Sequence, residues 1–457
     1  MALMVSISGI RGIVGETLTP ETIFQYASAY AEFCSRGHIV IGRDGRITGK
    51  NVLDIVVSTL RQMGSQVTDL GICPTPTVAL AVEKLNASGG ISITASHNPM
   101  MWNGLKFFAP SGLFLDADEN RKLWDIAERS AKYVPWNKQG TYTLDEAFID
   151  EHIRQVLSLS YIDVQKIRAR KFKVVLDCVN AAGGIIVPRL LEKLACEVVP
   201  LFCEVTGIFG HTPEPIPENL TALCSKVQDV KADLGIAVDP DVDRLVLINE
   251  KGEPFVEEYT IATCVKFILG KTISQAVTAH PDSLNVVVNL STTRAVEDIA
   301  RQAGAGTLRT PVGEINVAKK MKEVGAIIGG EGSGGVILPK VHLGRDAIVG
   351  IVLVLQHLME SGGKMSELKA ALPQYFITKG KIELGSLNAD AILIRLQKKF
   401  SSTGIINNDD GLKIDFPEAW VHLRKSNTEP ILRIIAEAHT KAEADDLVKK
   451  FTAEILA

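Results

Sequence analysis

Residues 94–99, TASHNP, place a serine hydroxyl on a turn directly after the apolar run GGISI. GGISI predicts a strand, and Pro99 disfavours helix at Asn98, so Ser96 is expected at the carboxyl end of that strand. A serine in this position could be nucleophilic or phosphorylated. The alternative is an ordinary turn in which the hydroxyl caps a nearby backbone amide. No G-x-S-x-G sequence surrounds Ser96, so α/β-hydrolase chemistry is not supported.

Residues 239–244, DPDVDR, place carboxylates at every second position between the apolar runs LGIAV and LVLIN. Three like charges held together are costly unless a cation neutralises them. Oxygen donors without a nearby His or Cys favour Mg²⁺ over zinc. An EF-hand is excluded because Arg244 stands where that loop needs glycine and strands flank the segment. The alternative is a solvated acidic turn. The candidate ligands are Asp239, Asp241 and Asp243.

Residues 330–335, GEGSGG, satisfy the pattern G-x-G-x-x-G. A dinucleotide fingerprint opens a helix, whereas this segment runs into VILPKV, an apolar strand interrupted by Pro339. The glycines instead predict a loop that lets Glu331 and Ser333 approach a polyhydroxyl ligand. A simple glycine-rich hairpin is the alternative.

Residues 424–430, RKSNTEP, followed by Arg433, gather guanidinium, hydroxyl and amide donors on one predicted turn. Such a donor set suits a phosphate ester, because a guanidinium binds a phosphate dianion in bidentate fashion. A capped turn with a surface arginine is the alternative. Neither a Walker A loop nor a kinase loop occurs, which disfavours nucleoside triphosphate chemistry.

The elements around these loops follow a repeated α/β rhythm. The strands HIVIGRD, KFKVVLD and LNVVVNL each open a round of strand, helix and strand, and AIIGGEGSGGVIL (326–338) is expected as the later strand of the third round. From about residue 373 the pattern predicts an antiparallel sheet with helices on one face. The predicted domains are residues 1–150, 151–252, 253–372 and 373–457.

Composition narrows the function classes. The chain has 457 residues, 46% hydrophobic and 22% charged, which suits several packed cores. A net charge of −4 without a Lys/Arg block argues against nucleic-acid binding. Seven scattered cysteines without a C-x-x-C pair favour reduced thiols in a cytoplasmic protein. The most apolar stretch, Ile348–Met359, is too short to cross a bilayer, so no membrane association is expected.

Together, TASHNP, DPDVDR, GEGSGG and RKSNTEP resemble, in order and spacing, the motifs of the α-D-phosphohexomutase superfamily, and the likeness covers essentially the whole chain. The resemblance implies an α/β fold: three related α/β domains with mixed sheets plus a C-terminal α+β domain like the TATA-binding protein, around a central cleft. It implies a small-molecule hexose phosphate as substrate and a phosphoserine that donates its phosphoryl group to give a bisphosphorylated sugar. One Mg²⁺ per chain, hexose 1,6-bisphosphate as activator and a monomer or homodimer complete the expectation.

The same resemblance implies roles for individual residues. The expected Mg²⁺ ligands are Ser96, through its phosphate, Asp239, Asp241 and Asp243. The expected catalytic residues are Ser96, Arg11, His97 and Lys106. The expected substrate-binding residues are Arg244, Glu331, Ser333, Arg424, Ser426, Asn427, Thr428 and Arg433. Many family members have a histidine after the S-G of the sugar loop, where this sequence has Gly334-Gly335. Proton transfer is therefore unassigned, with Lys106 and His97 as candidates.

The substrate is less constrained than the reaction. The Gly334-Gly335 pair, TPVGE at 310–314 and GRDA at 344–347 resemble the phosphoglucosamine mutase and phosphomannomutase branch of archaea and some bacteria. We therefore favour glucosamine phosphate, with the phosphomannomutase or phosphoglucomutase activity as alternative. A haloacid-dehalogenase-like phosphatase with Asp239 or Asp241 as nucleophile would leave TASHNP and RKSNTEP without a role. A non-catalytic sugar-phosphate sensor would not need Ser96.

Overall fold

The computed structural model describes residues 3–275, 284–385, 387–425 and 431–456. The chain divides into two compact units. Unit 1 comprises Met1–Thr260 and Gly334–Lys369, and unit 2 comprises Ile261–Ser333 and Ala370–Ala457.

The strands are, in chain order, β1 (Met4–Ser6), β2 (Gly9–Ile13), β3 (Ile39–Arg43), β4 (Val67–Ile72), β5 (Gly89–Ile93), β6 (Trp102–Phe108), β7 (Tyr142–Leu144), β8 (Lys173–Asp177), β9 (Glu197–Leu201), β10 (Leu234–Val238), β11 (Leu245–Ile248), β12 (Asn285–Asn289), β13 (Gly306–Thr310), β14 (Ile328–Glu331), β15 (Gly335–Leu338), β16 (His342–Arg345), β17 (Phe376–Glu383), β18 (Ile405–Asn407), β19 (Leu412–Asp415), β20 (Trp420–Lys425) and β21 (Ile431–Ala438).

The helices are α1 (Pro20–Phe33), α2 (Gly49–Gln62), α3 (Thr75–Lys84), α4 (Ala117–Ala127), α5 (Phe148–Leu157), α6 (Val164–Arg170), α7 (Gly183–Lys193), α8 (Thr221–Val230), α9 (Glu257–Gln275), α10 (Ala295–Gln302), α11 (Glu314–Val324), α12 (Ala347–Ser361), α13 (Met365–Ala370), α14 (Ala389–Phe400) and α15 (Lys441–Leu456), with short 3-10 turns at Trp136–Lys138 and Pro217–Asn219.

The first sheet of unit 1 has seven strands in the order β1-β2-β6-β5-β3-β4-β7. Strand β3 pairs in parallel with β4 and β5, as βαβ crossovers require. Strand β5, fully buried as its apolar residues predict, turns back into β6 in an antiparallel pair that ends at Ile93 opposite Leu105. The TASHNP segment is therefore the connection of this hairpin, and Lys106 on β6 lies opposite Ser92 on β5.

The second sheet of unit 1 has the order β11-β10-β8-β9. Strand β10 pairs in parallel with β8 and antiparallel with β11, and the last pair of that hairpin is Val238 with Leu245. DPDVDR is the connection between these two residues, as the apolar runs on both sides predicted. Unit 1 also contains the antiparallel pair of β15 and β16, followed by the buried helix α12.

Unit 2 contains a parallel set in which β12 pairs with β13 and β14. It also contains an antiparallel sheet in the order β17-β21-β20-β19-β18. Helices α14 and α15 contribute Leu396, Phe400 and Phe451 to one apolar core with this sheet. The antiparallel sheet with helices that was predicted after residue 373 is confirmed.

The single strand predicted at residues 326–338 is wrong. The segment forms two strands, β14 and β15, separated by residues 332–334. Gly334 has φ +87°, a conformation that favours glycine, and a Cβ there would lie 2.5 Å from the Leu245 carbonyl oxygen. The break therefore falls within GEGSGG, where the glycines predicted a loop.

Among the described residues, no helix has the length and apolar character needed to cross a membrane. The most apolar helix, α12, is buried within unit 1.

His422 on β20 should make the stability of unit 2 depend on pH. Its Nε2 donates to the Asp410 carbonyl oxygen (2.7 Å), so its Nδ1 accepts from Ser291 Oγ (2.9 Å). Burial lowers its pKa from 6.5 to about 4, and the Arg424 charge adds to this effect. The unfolded chain therefore takes up the proton first, and the contribution to stability is lost as the pH falls from 6.5 towards 4.

We expect the opening free energy of β20 to fall by about 1 kcal/mol between pH 7.5 and 5.5. Hydrogen–deuterium exchange of β20 peptides, compared with His422→Gln at each pH, measures it. The exposed His439 provides a control, since His439→Gln should keep the pH dependence. A dependence that survives in His422→Gln would contradict this prediction.

Candidate active site

Ser96 lies in a strained turn of the β5–β6 connection. It is buried and has φ +50°, the left-handed conformation, which is unfavourable for residues other than glycine. Its backbone N–H donates to Thr94 Oγ1 (2.8 Å), and its own hydroxyl lies 3.1 Å from Asp239 Oδ2 and 3.3 Å from His97 Nδ1. The turn therefore holds the serine oxygen between a carboxylate and an imidazole.

Arg46, which the sequence analysis did not single out, holds the backbone of that turn. Its side chain is fully buried and its Nε donates to Asp44 Oδ2 (3.0 Å). Asp44 Oδ2 also accepts from the hydroxyl of Thr94 (2.7 Å). The remaining guanidinium donors reach four carbonyl oxygens, of Ser96 (2.6 Å), Asn98 (2.7 Å), Pro99 (2.8 Å) and Trp102 (2.9 Å). The only signal in the sequence was the polar GRDGR segment after β3, whose charges gave no indication of their partner.

The three carboxylates of the DPDVDR connection are buried together. One oxygen from each of Asp239, Asp241 and Asp243 lies within 4.8 Å of the others. Asp239 Oδ1 accepts from the backbone N–H groups of Asp243 and Arg244 (both 3.1 Å). Oδ1 of Asp241 and Oδ1 of Asp243 are buried and have no hydrogen-bond partner within the described part of the chain. Buried oxygens of this kind fit a hard divalent cation, which prefers carboxylate ligands.

The other oxygens of the triad are held by donors from distant segments. Lys106 Nζ donates to Asp241 Oδ2 (2.6 Å) and Asp243 Oδ2 (3.2 Å). Thr75 Oγ1 donates to Asp241 Oδ2 (2.7 Å), and Arg345 Nη2 donates to Asp243 Oδ2 (2.7 Å). Arg345 and Thr75 were not predicted, because nothing near them in sequence suggests a carboxylate partner.

These contacts shift the pKa values of Asp239 and Asp243 in opposite directions. Burial, with the charges of Asp243 and Asp241, raises the pKa of Asp239 well above its usual value. Burial acts in the same direction on Asp243, but Arg345, Lys106 and Arg244 outweigh it and lower the pKa of that carboxyl. A cation bound to the triad would favour the ionised form of all three.

The two candidates for proton transfer differ in charge. Burial would lower the pKa of Lys106, but Asp241 and Asp243 outweigh it and raise that pKa, so Lys106 is an ammonium ion. Burial and the charge of Arg244 lower the pKa of His97 well below its usual value. His97 is therefore neutral near pH 7 and has a nitrogen that can accept a proton, whereas the Lys106 ammonium ion has none.

The remaining predicted residues of unit 1, Arg11 and Arg244, contact the same two connections. Arg11 on β2 donates from Nη1 to Asn98 Oδ1 in the serine turn (3.1 Å). Arg244 follows the triad directly, with its Nε 3.9 Å from Asp243 Oδ1. Glu214 lies 3.9 Å from Arg244 Nη1 and 4.0 Å from His97 Nε2.

In unit 2, the sugar-loop residues Glu331 and Ser333 occupy the end of β14 and the following turn. Glu331 Oε1 accepts from Asn289 Nδ2 (2.8 Å) and from the Gly313 backbone N–H (3.1 Å). Ser333 is partly exposed two residues further on. The carboxylate is thereby fixed by β12 and the loop before α11, as a ligand-reading group requires.

The predicted phosphate clamp is described in part. Ser426, Asn427 and Thr428 lie outside the described residues. Arg424 forms an ion pair with Asp410 (2.8 Å) and lies opposite Arg433, which in turn lies opposite Lys381 on β17. The structure thus places three cations side by side across three strands. Directly opposed like charges are unfavourable without a counter-anion, and Lys381 had not been predicted.

The whole chain matches one protein family. Residues 4–134, 150–252 and 264–376 match the alpha/beta/alpha domains I, II and III of phosphoglucomutase/phosphomannomutase, and residues 386–454 match its C-terminal domain.

Individual relatives give the same result. The chain is 32% identical over 449 residues to a probable phosphoglucosamine mutase of Methanopyrus kandleri, covering 97% of this chain and 96% of that protein. It is 34% identical over 449 residues to a phosphoglucomutase/phosphomannomutase of Thermococcus kodakarensis, covering 96% of each. A solved phosphoglucomutase/phosphomannomutase family protein of Burkholderia thailandensis superimposes with a TM-score of 0.85 at 26% identity, covering 99% of this chain and 97% of that one. The chain therefore belongs to the phosphoglucomutase/phosphomannomutase family of the α-D-phosphohexomutase superfamily, which confirms the predicted family and its four-domain α/β fold with mixed sheets.

Proposed function

We propose that this chain, a member of a family of isomerases, interconverts hexose 6-phosphate and hexose 1-phosphate through a phosphoserine at Ser96, with glucosamine phosphate as its substrate. The observation that carries the mechanism is the contact of Ser96 Oγ with Asp239 Oδ2 (3.1 Å), beside two buried carboxylate oxygens that lack hydrogen-bond donors in the described chain. A serine and a cation site thus adjoin within one unit. The name of the Methanopyrus kandleri relative supports glucosamine.

The metal of this proposal is one Mg²⁺ per chain. Asp239, Asp241 and Asp243 would hold it together with the phosphate on Ser96. When bound, it would offset the negative charge of the phosphoryl group during transfer. Lys106 and Arg345 then keep the two remaining carboxylate oxygens in place, so that the triad does not rearrange when the charge moves.

The transfer requires a proton to move in step with the phosphoryl group. The sugar hydroxyl attacks phosphorus, the bond from phosphorus to Ser96 Oγ breaks, and the hydroxyl proton must end on Oγ. His97, neutral and with Nδ1 3.3 Å from Oγ, is the proposed carrier of that proton. Lys106, as an ammonium ion, serves as a fixed positive charge, and Arg11 does the same beside Asn98.

The residues of unit 2 are proposed to bind the substrate. Glu331 and Ser333 would read sugar hydroxyls, with Arg244 of unit 1 as a further substrate contact. The phosphate that is not transferred would be bound by Arg424, Ser426, Asn427, Thr428 and Arg433. The row of cations from Lys381 to Arg424 supports this assignment, because a phosphate dianion relieves their mutual repulsion. One serine serves both ends of the sugar if the substrate binds in two orientations.

Several accompanying expectations stay predictions. They are the domain boundaries at residues 150, 252 and 372, activation by hexose 1,6-bisphosphate, a monomer or homodimer, and a cytoplasmic location. The aspartyl phosphatase alternative, with Asp239 or Asp241 as nucleophile, is disfavoured because all four domains match the phosphoglucomutase/phosphomannomutase family.

Phosphorus NMR tests the reaction. With Mg²⁺ and a trace of hexose bisphosphate, glucosamine 6-phosphate should give a 1-phosphate signal faster than the mannose or glucose 6-phosphates do. Ser96→Ala should reduce the rate by at least about 10³-fold, since the transferred group has no acceptor. Faster turnover of another hexose phosphate would overturn the substrate assignment. Inorganic phosphate released equally by Ser96→Ala would overturn the phosphoserine mechanism.

Metal removal tests the cation site. We expect EDTA to abolish transfer and Mg²⁺ to restore it. Asp241→Asn should weaken Mg²⁺ binding at least about tenfold in calorimetry, because it removes a charged ligand oxygen. Asp233→Asn, at the opposite end of β10, is the matched control and should bind Mg²⁺ as the wild type does. Equal affinities of the two variants would contradict the assignment.

A further inference from the structure

Arg345 reaches the carboxylate triad from the end of β16. Its Nη2 donates to Asp243 Oδ2 at 2.7 Å, and Lys106 shares that oxygen. The side chain is only 10% exposed. Because Oδ2 is occupied in this way, the other oxygen of Asp243 is the one left for a cation.

Gly335 provides the space through which Arg345 extends. A Cβ at position 335 would lie 2.2 Å from Arg345 Cδ and 2.9 Å from Cγ, well inside van der Waals contact. Gly335 is not among the glycines with positive φ, so its backbone conformation does not demand glycine. The absence of a side chain is therefore what this position contributes.

Asp346, the residue that follows Arg345, is held by hydrogen bonds to both of its carboxylate oxygens. Asp346 is buried and caps α12, with Oδ1 accepting from the Ile348 N–H (2.8 Å). Its Oδ2 accepts from His152 Nε2 (2.7 Å) and His342 Nε2 (3.1 Å). These three side chains offer possible metal-ligand atoms within 4.8 Å of one another, but the hydrogen bonds already join each histidine to the carboxylate. These hydrogen bonds explain the arrangement without a metal ion, and we call His152, His342 and Asp346 the brace.

The brace connects to the triad a second time. His152 Nδ1 accepts from Thr77 Oγ1 (2.9 Å) at the start of α3. Thr75, two residues earlier on the same helix, donates to Asp241 Oδ2 (2.7 Å). The start of α3 therefore contacts both the histidine that fixes Asp346 and a carboxylate of the triad.

From these contacts we propose that Arg345, seated in the space that Gly335 leaves and braced by Asp346, is a positioning residue that fixes Asp243 so that Oδ1 faces the cation. The inference rests on the proposed function, since it assigns the triad to Mg²⁺. In this proposal, Gly335 acts only by leaving space for the Arg345 side chain.

A double-mutant cycle tests that dependence. Gly335→Ala displaces the guanidinium from Asp243 but keeps its positive charge nearby, so Mg²⁺ binding to the metal-stripped protein, without sugar, should weaken at least about fivefold. In the Arg345→Ala background, where no arginine stem meets the new methyl group, the same change should alter the affinity less than about twofold. Calorimetry measures all four proteins.

Two controls distinguish a displaced Arg345 side chain from a general loss of folding. Gly270→Ala on α9, where a Cβ meets open space, should bind Mg²⁺ as the wild type does. Thermal unfolding checks that every variant folds. With saturating Mg²⁺, Gly335→Ala should lower kcat while KM for the hexose phosphate stays within about twofold, because the displaced group, Arg345, is bound to the carboxylate of Asp243.

Equal effects of Gly335→Ala in the two backgrounds, or no effect in the wild-type background, would overturn this inference and leave the proposed function intact. A wild-type protein that binds no Mg²⁺ would overturn the metal assignment and the inference with it.

Discussion

The burial of three carboxylates in one β-hairpin connection is the constraint on which unit 1 depends. Removing such charges from water costs several kcal/mol each unless partners compensate. The chain supplies these partners from separate segments: Lys106 from β6, Thr75 from α3 and Arg345 from β16. Each partner requires its element to lie near the DPDVDR connection, so charge compensation and tertiary structure specify one another. Two further oxygens, Oδ1 of Asp241 and Oδ1 of Asp243, have no hydrogen-bond donor within the described chain.

The serine turn shows a second use of buried charge. The Arg46 guanidinium donates to the backbone carbonyl oxygens of the turn, so the Ser96 side chain is not needed to hold the turn in place. Asp44 fixes Arg46 and Thr94 together, and Thr94 receives the N–H of Ser96. A strained conformation at Ser96 can persist because so many hydrogen bonds hold it. The hydroxyl is thereby available for chemistry next to Asp239.

Unit 2 carries groups of a different kind. Glu331 is an acceptor held rigidly by an amide and a backbone N–H, which suits hydroxyl recognition. The row Lys381, Arg433 and Arg424 is a set of donors, and Asp410 forms an ion pair with Arg424 at its end. A sugar carrying a phosphate presents complementary groups to both. The carboxylate triad and the serine turn thus belong to unit 1, and Glu331 and the cation row belong to unit 2.

The sequence by itself determined the local features: the strands before TASHNP and DPDVDR, the turns that follow them, the clustering of like charges, and the family. These depend on side-chain periodicity and turn chemistry within a few residues, which the chain order displays directly. Tertiary structure alone decided the partners. Arg46 meets Ser96 across 50 residues and Arg345 meets Asp243 across 102, and no local pattern encodes either contact. The same holds for Gly335, whose missing side chain matters only because β16 places Arg345 beside it. The physical reason is that a buried charge or a close contact is satisfied by whichever element the strand pairing brings near, and that pairing is a property of the whole fold.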